Sequence, residues 1–414
     1  MTGRPPYGSL AAGQYSDCGC GVKTLRIQHI AKYFPPDKGE TERFIHDLAR
    51  EQARRGHKVN VLAHARGRPV GSATLAKGLT VTRARVWANP GGDAPLAPLL
   101  PFFIFSRALQ PSSRPDIVHV HAPNPAGLTA AFLPRSIAVL LHWHTDAVLP
   151  SGPNVPEFPL QTWRFLEDKL LCRADAVVVT SPEYARSSPF LGKWQDKCRY
   201  VPLGLPEASG PVTFHIHPGW RAASFLRSRR EGTRILAVGS LTAYKGFSFL
   251  AEALASLPGA ALCLIGEGEE HKALEQRIGE LGLKERVFLA GRVEDAERDA
   301  CFHLCDIFCL PSITREETFG SSLLEAMKCG KPCVVTDVPG SSMTRVVADG
   351  ENGLVCKPQD APALAQALGT LLNSQEARHS LGRAGNARFA RLFSMPKIWQ
   401  KLEAIYDGLA VRRG

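Results

Sequence analysis

At 414 residues and 44% apolar content, the chain is long enough to bury two hydrophobic cores and too apolar for a disordered protein. Its formal charge of +11 is unevenly spread: residues 1–205 carry 25 Lys and Arg against 15 Asp and Glu, whereas residues 206–414 carry 25 against 24. A basic half without a compact basic run interleaved with aromatics speaks against nucleic acid and for anionic lipid headgroups or a phosphate-bearing acceptor.

The longest unbroken apolar stretches are six or seven residues, and the Pro-broken run Pro95–Phe105 is too short and kinked to span a bilayer. That run is expected to pack in its own core. No charged segment followed by an apolar core opens the chain, so no signal peptide is expected. The eleven cysteines form no paired framework, and Cys263, Cys309 and Cys333 lie in apolar strand-like runs. Reduced, buried thiols in a cytosolic protein are the expectation.

In chain order, residues 1–22 read as a mobile tail that holds Cys18-Gly19-Cys20. Leu25–Ile30 reads as a strand, and Tyr33–Glu40 as the loop after it. A helix then places Phe44, Ile45, Leu48, Ala49 and Ala53 on one face and stops at Gly56-His57, and a strand follows at Lys58–Ala63. This is a parallel β-α-β unit, whose ligand loops lie at the carboxyl ends of the strands. A hairpin-like region covers Leu79–Trp87, followed by a strand ending His119-Val120-His121, a small-residue helix Pro125–Phe132, and a strand ending His142-Trp143-His144. Each His-x-His pair points both rings to one side. No carboxylate cluster completes a coordination shell, so these rings are expected to line a cleft and to hold no metal. Helix Trp163–Leu171 and strands Ala176–Val179 and Lys197–Pro202 complete a first domain, residues 23–205.

Residues 206–232 lose periodicity, and Pro206, Gly210, Pro211, Pro218 and Arg227–Arg230 mark them as a linker. A second β-α-β series then fills residues 233–390. Strand Arg234–Gly239 is followed by a loop with Lys245-Gly246 and helix Phe249–Leu257. Strand Ala261–Ile265 ends at Gly266-Glu267-Gly268, and helix Ala273–Leu281 and strands Val287–Leu289 and Asp306–Leu310 come next. Strand Lys331–Thr336 and helix Ala361–Leu372 close the series, and residues 391–414 form a last helix. The economical fold is α/β, two doubly wound Rossmann-like domains facing each other across a cleft.

The stretch Glu316–Met327 concentrates the chemistry. Glu317 and Glu325 flank a Phe319-Gly320-Ser321 turn that opens a helix, with Ser321 or Ser322 as the expected N-cap of Ser322–Lys328. Free backbone N–H groups at a helix N-terminus between two carboxylates suit a ligand bearing phosphate and several hydroxyls, such as a nucleotide sugar.

With these residues in view, the chain resembles the retaining glycosyltransferases of the GT-B fold, carbohydrate-active family four, over about Thr24–Phe393. The carboxylate pair, with Phe-Gly after the first and Ala-Met after the second, carries most of the resemblance. Tyr33–Gly39, Arg55-Gly56-His57, His142–Asp146, Ser181-Pro182, Val201–Gly204, Tyr244–Gly246, Gly266–Gly268 and Asp349–Leu354 support it in the same order.

The resemblance implies roles. Glu325 would accept hydrogen bonds from ribose hydroxyls, and Glu317 would orient the sugar. Amides of Phe319, Gly320 and Ser321 would contact sugar and phosphate, and Gly39 would mark the first-domain loop beside them. Lys245 would neutralise the leaving diphosphate, and His144 would contact the transferred sugar. The base would lie near Gly291 and Arg292. Transfer would proceed with retention and without a metal or other cofactor. The last helix would cross back to the first domain. Within the family the closest pattern is that of bacterial surface-polysaccharide mannosyltransferases, which makes GDP-mannose the first donor and a UDP-hexose the second. The acceptor would be a glycan or lipid-linked glycan, used in the cytoplasm at the inner face of the membrane, with an anionic membrane surface as a partner.

Two departures stand out. Gly239-Ser240-Leu241 lacks the arginine that the family often places there, and Gly39-Glu40 stands where the family has Gly-Gly. A carboxylate at position 40 would repel a diphosphate unless another cation, such as Arg315 or Lys38, compensates. The alternative is a catalytically weak paralogue that binds sugar nucleotide or partner proteins without turnover. An epimerase or phosphorylase fits the first-domain pattern less well.

Overall fold

The computed structural model describes residues 24–37, 39–67, 69–89, 95–147, 157–207, 216–229 and 232–411. The expected tail, Lys38, Arg230 and part of the expected linker lie outside them.

The first domain follows from alternating apolar strands and amphipathic helices. In order it contains β1 (Arg26–Ile30), α1 (Glu40–Arg54), β2 (Lys58–Ala65), β3 (Gly71–Ala76), β4 (Leu79–Arg85) and α2 (Leu99–Leu109). Then come β5 (Ile117–Ala122), β6 (Ala138–Trp143), α3 (Glu157–Arg173), β7 (Ala176–Val179), α4 (Pro182–Ser187) and β8 (Cys198–Tyr200). The sheet order is β3-β4-β2-β1-β5-β6-β7-β8. The hairpin pairs β3 with β4, while β4 itself runs parallel to β2. Ala126–Phe132 is a 3₁₀ helix.

The second domain begins earlier than its first strand. α5 (Arg221–Ser228) buries Ala222, Ala223 and Leu226, and the backbone N–H of Ala222 donates to Glu297 at 2.8 Å. Part of the expected linker therefore belongs to this domain, because a two-turn helix with three apolar contacts leaves little periodicity among its prolines and arginines. After it come β9 (Thr233–Val238), α6 (Phe247–Ala255), β10 (Ala260–Ile265), α7 (His271–Glu280), β11 (Val287–Gly291) and α8 (Asp295–Leu304). β12 (Ile307–Leu310), α9 (Ser321–Lys328), β13 (Cys333–Thr336), α10 (Met343–Val346), β14 (Gly353–Cys356), α11 (Ala361–Asn373) and α12 (Gln375–Leu392) complete it. Its parallel sheet runs β11-β10-β9-β12-β13-β14.

The chain returns through α13 (Met395–Val411), which packs on α1 and buries Trp399 and Tyr406 completely. The crossing is pinned where Leu205 and Phe393 to Met395 exchange backbone hydrogen bonds. In each sheet the strand order reverses, at β1/β5 and at β9/β12, and the crevice beyond the strands' carboxyl ends at such a point is where open α/β sheets bind ligands.

Helix α2 divides the apolar run that the sequence assigns to a core. Leu100, Ile104 and Ala108 are buried, but Phe102 is 64% and Leu109 70% exposed. Among the described residues no helix is long and apolar enough to cross a membrane, and the cysteines are free thiols.

Candidate active site

Three loops at the carboxyl ends of β9, β10 and β11 are stitched together by backbone hydrogen bonds from Gly239 to Ile265, Leu241 to Glu267 and Gly266 to Gly291. The loop after β9 carries Lys245 on a single 3₁₀ turn that ends at Gly246. Gly246 has a φ of 67°, and a Cβ there would stand 2.2 Å from the Pro311 carbonyl oxygen. Only glycine fits, and the fit brings Lys245 against the end of β12.

Lys245 Nζ lies 2.5 Å from Glu317 Oε2, which also accepts a hydrogen bond from the Ser312 hydroxyl at 3.0 Å. Both partners are buried. Burial would lower the pKa of the Lys245 ammonium, but the Glu317 carboxylate, with smaller help from Tyr244 and Glu40, raises it above the ordinary lysine value. The Lys245 ammonium stays charged beneath the cleft.

Helix α9 departs from expectation at its first turn. Its N-cap is Gly320, at a φ of 76°, with no side-chain cap, so neither Ser321 nor Ser322 takes that place. A Cβ on Gly320 would come within 2.7 Å of the Leu310 side chain. The left-handed backbone there favours glycine over serine in the cap position. Phe319 is buried with its ring edge-on to Phe393, so its side chain anchors the turn, leaving only its backbone for a ligand.

The Ser321 N–H instead donates to Glu40 Oε1 of the first domain at 3.2 Å. Gly39, in extended backbone, precedes it at the start of α1. Glu40 thus holds the anion position at the N-terminus of α9. Protein around it, then the like charge of Glu317, raises its pKa despite opposition from Lys245.

Glu325, one turn along α9, accepts hydrogen bonds from Arg43 Nη1 of α1 at 2.7 Å and meets Arg298 Nη2 of α8 at 3.1 Å. Burial raises its pKa against these two cations. Gly291, with a φ of 67°, and Arg292, exposed and 3.4 Å from Glu267, stand on the rim after β11.

Across the cleft, the histidines do not line its surface as the sequence implies. Register explains why: β1 pairs His29 with His119, and β5 pairs His121 with His142, so the two His-x-His pairs and His29 share one sheet face under α1 and α13. Their rings stack between 4.2 and 5.5 Å apart. His29, His119, His121 and His142 are sealed, while His144 is 7% exposed. Burial lowers the pKa of His29 to about 4 and that of His144 to about 3, and it holds the other three well below the ordinary value. The neutral rings form two triads, His29/His119/His121 and His121/His142/His144, whose nitrogens lie within 4.8 Å of one another. A metal would need in-plane lone pairs to converge, yet the rings lie face to face at interplanar angles of 3° to 37°, and two N···N contacts of 2.9 and 3.0 Å already share protons.

Arg315, one of the two expected compensating cations, is committed through one nitrogen to the other domain. It is held 2.8 Å from Asp146 Oδ2 and lies over the Tyr184 ring. Arg345 with Glu183, and Ser342 with Thr180 and Ser181, close the same seam between the domains. Arg43, Arg298 and Ser312 carry no mark in the sequence that assigns them to the site. Arg43 does stand three residues after Glu40, one helical turn away, which is the signal that could have found it.

The glycosyl transferases group 1 model matches residues 222–388, and a glycosyl transferase 4-like domain model matches residues 39–204. An O-antigen chain mannosyltransferase C of Escherichia coli is 26% identical over 387 residues, 93% of this chain and 99% of that protein. An uncharacterized glycosyltransferase of Methanocaldococcus jannaschii is 30% identical over 298 residues, 71% of this chain and 76% of its own length. Among solved structures, Anabaena HepE in complex with UDP-glucose matches with a TM-score of 0.68 at 21% identity, covering 92% of this chain and all of the other.

Proposed function

We propose a donor, an acceptor class and a stereochemical course for this chain, which belongs to the family 4 glycosyltransferases of the GT-B fold and is a glycosyltransferase. It moves mannose from GDP-mannose, with a UDP-hexose as second choice, to a hydroxyl of a glycan or lipid-linked glycan in surface-polysaccharide assembly. The observation that carries this reading is the buried Lys245–Glu317 pair beside the N-terminus of α9, where Glu40 now takes the Ser321 N–H, one helical turn from Glu325. The E. coli relative's name as an O-antigen mannosyltransferase supports the donor, and the UDP-glucose complex of the Anabaena protein supports a nucleotide-diphosphate sugar as its class.

In this reading Glu325 exchanges Arg43 for the ribose hydroxyls, and Glu317 orients the hexose. As the C1–O bond to the diphosphate breaks, Lys245 and the amides after Gly320 meet the growing negative charge. The acceptor oxygen bonds to C1 on the face the diphosphate leaves, and its proton passes to the departing phosphate oxygen. Arg298 stays beside Glu325 when Arg43 leaves it. No step requires a metal. His144 meets the sugar from the first domain. Exposed Phe102 and Leu109 of α2, with Phe132 on the adjoining 3₁₀ helix, give the basic half an apolar face for an anionic membrane at the cytoplasmic side.

The test is hydrolysis of GDP-mannose without acceptor, followed by proton NMR. Release of the α anomer first is expected, and β-mannose would mean inversion. A second reading is favoured by one observation: Glu40 occupies the α9 N-terminus, as it would in a weak paralogue that binds without turnover.

A further inference from the structure

The histidine stack contains a directed chain of hydrogen bonds. The Gln52 amide nitrogen donates to the Tyr406 hydroxyl at 3.0 Å, which turns its oxygen toward His29 Nε2 at 2.7 Å. With the amide in this orientation, that ring nitrogen carries hydrogen. A neutral imidazole has one N–H, so His29 Nδ1 is an acceptor, and it lies 2.9 Å from His121 Nε2. His121 Nε2 is therefore the donor and its Nδ1 the acceptor, 3.0 Å from His144 Nε2. The order ends with hydrogen on His144 Nε2 and a bare lone pair on Nδ1, which has no partner among the described residues. The Tyr406 hydroxyl completes the network by donating to His119 Nδ1 at 2.7 Å, leaving the buried Nε2–H of His119 unpaired. Every ring in the chain then holds the Nε2–H form.

We propose that Gln52, His29 and His121 are positioning residues that lock His144 as its Nε2–H tautomer, so that it meets the transferred sugar as a hydrogen-bond acceptor. The proposal rests on the reading of His144 as a sugar contact. It gives that contact a direction: a sugar hydroxyl donates to Nδ1, and a sugar deoxygenated at that carbon leaves the lone pair unmet. A ring free to exchange tautomers would present N–H part of the time and oppose that hydroxyl hydrogen.

The direct test is a long-range proton–nitrogen correlation spectrum of the full chain carrying ¹⁵N-histidine, with His144 assigned by its loss in His144→Asn. It requires no substrate. A single Nε2–H pattern for His144 is expected, retained in Gln52→Glu, whose carboxylate can only accept, and replaced by a tautomer mixture in Gln52→Met. GDP-mannose hydrolysis should fall about tenfold in kcat in Gln52→Met, with GDP affinity unchanged and rescue by Gln52→Glu. An Nδ1–H pattern in the wild-type chain, or an unchanged pattern in Gln52→Met, would overturn the relay. Retention of one equivalent of Zn²⁺ after dialysis, with both nitrogens of His121 shifted, would overturn it in favour of a metal site. A lost lock with unaltered hydrolysis would overturn the link to the sugar, leaving the relay itself intact.

Discussion

Arg43 on the first helix of one domain and Glu325 on α9 of the other meet at 2.7 Å across the cleft. The carboxylate assigned to the ribose is thus neutralised by the facing domain before any nucleotide arrives. A ribose must displace that guanidinium, and Arg298 at 3.1 Å remains to keep the charge paired. Arg43→Met is expected to raise GDP affinity about threefold by removing the competitor, and Glu325→Gln to lower it about tenfold, as for loss of a charge-assisted hydrogen bond. Calorimetric titration of both variants checks the pair. Weaker binding in Arg43→Met would instead make Arg43 a phosphate contact.

Lys245→Met leaves the buried Glu317 carboxylate without its cation, and breaking one side of a buried pair costs about 3–5 kcal/mol. Urea midpoints should show a loss of that order. Adding Glu317→Gln should recover most of the stability and none of the turnover, which should be at least about a hundredfold down in both variants. A turnover defect repaired together with stability would assign the pair to folding alone.

Glu40→Gly should raise GDP affinity and hydrolysis by vacating the N-terminus of α9, which the carboxylate now holds through the Ser321 N–H. Initial rates at saturating and limiting GDP-mannose separate the two effects. A fall in kcat would show that Glu40 contributes to the transfer itself.

The site is legible in the sequence where its parts lie close together. Glu317 and Glu325 are joined by one turn and a helix, so spacing places that pair, while Lys245, 72 positions from Glu317, is singled out by the family resemblance. Arg43 escapes this logic because it is 282 positions from Glu325 and meets it only when two domains face each other. The histidines read as two separate pairs. Their union with His29 depends on β5 lying between β1 and β6, which no local pattern states. Serine chemistry at 321 and 322 points to the wrong cap because the helix enters through a left-handed Gly320, a backbone choice the serines do not signal. Between the domains the difficulty is local instead: α5 is a true helix, but its eight residues are too few to show a period among the surrounding prolines and arginines.

Acid should unfold the chain early. The five stacked histidines have folded pKa values below the unfolded value near 6.5. The unfolded chain therefore takes up protons first as pH falls. Their stabilising effect is complete above about pH 7 and is lost from about 6.5 downward, toward the folded values of about 4 for His29 and about 3 for His144. Each ring costs roughly 1.4 kcal/mol per pH unit in that window. The raised carboxyls Glu40, Glu325 and Glu167, the last at about 7 through burial, act in the opposite sense and offset part of the loss. Urea midpoints should drop steeply between pH 6.5 and about 5. A flat profile would contradict a neutral, buried stack.

Vesicles separate the apolar face of α2 from a packing role. Phe102→Ser with Leu109→Ser should reduce sedimentation with phosphatidylglycerol-containing vesicles about tenfold or more without changing GDP affinity. Equal binding by the double variant would remove the membrane from the account.

The most direct measurement is thermal unfolding of the wild-type chain and Glu325→Gln with GDP, UDP, ADP, GDP-mannose and UDP-glucose. Ligand that binds the folded state raises the midpoint by mass action. A shift selective for GDP and GDP-mannose in the wild type, lost in Glu325→Gln, is the expected result. No shift with any nucleotide, or a shift indifferent to Glu325, would contradict a donor site built on α9.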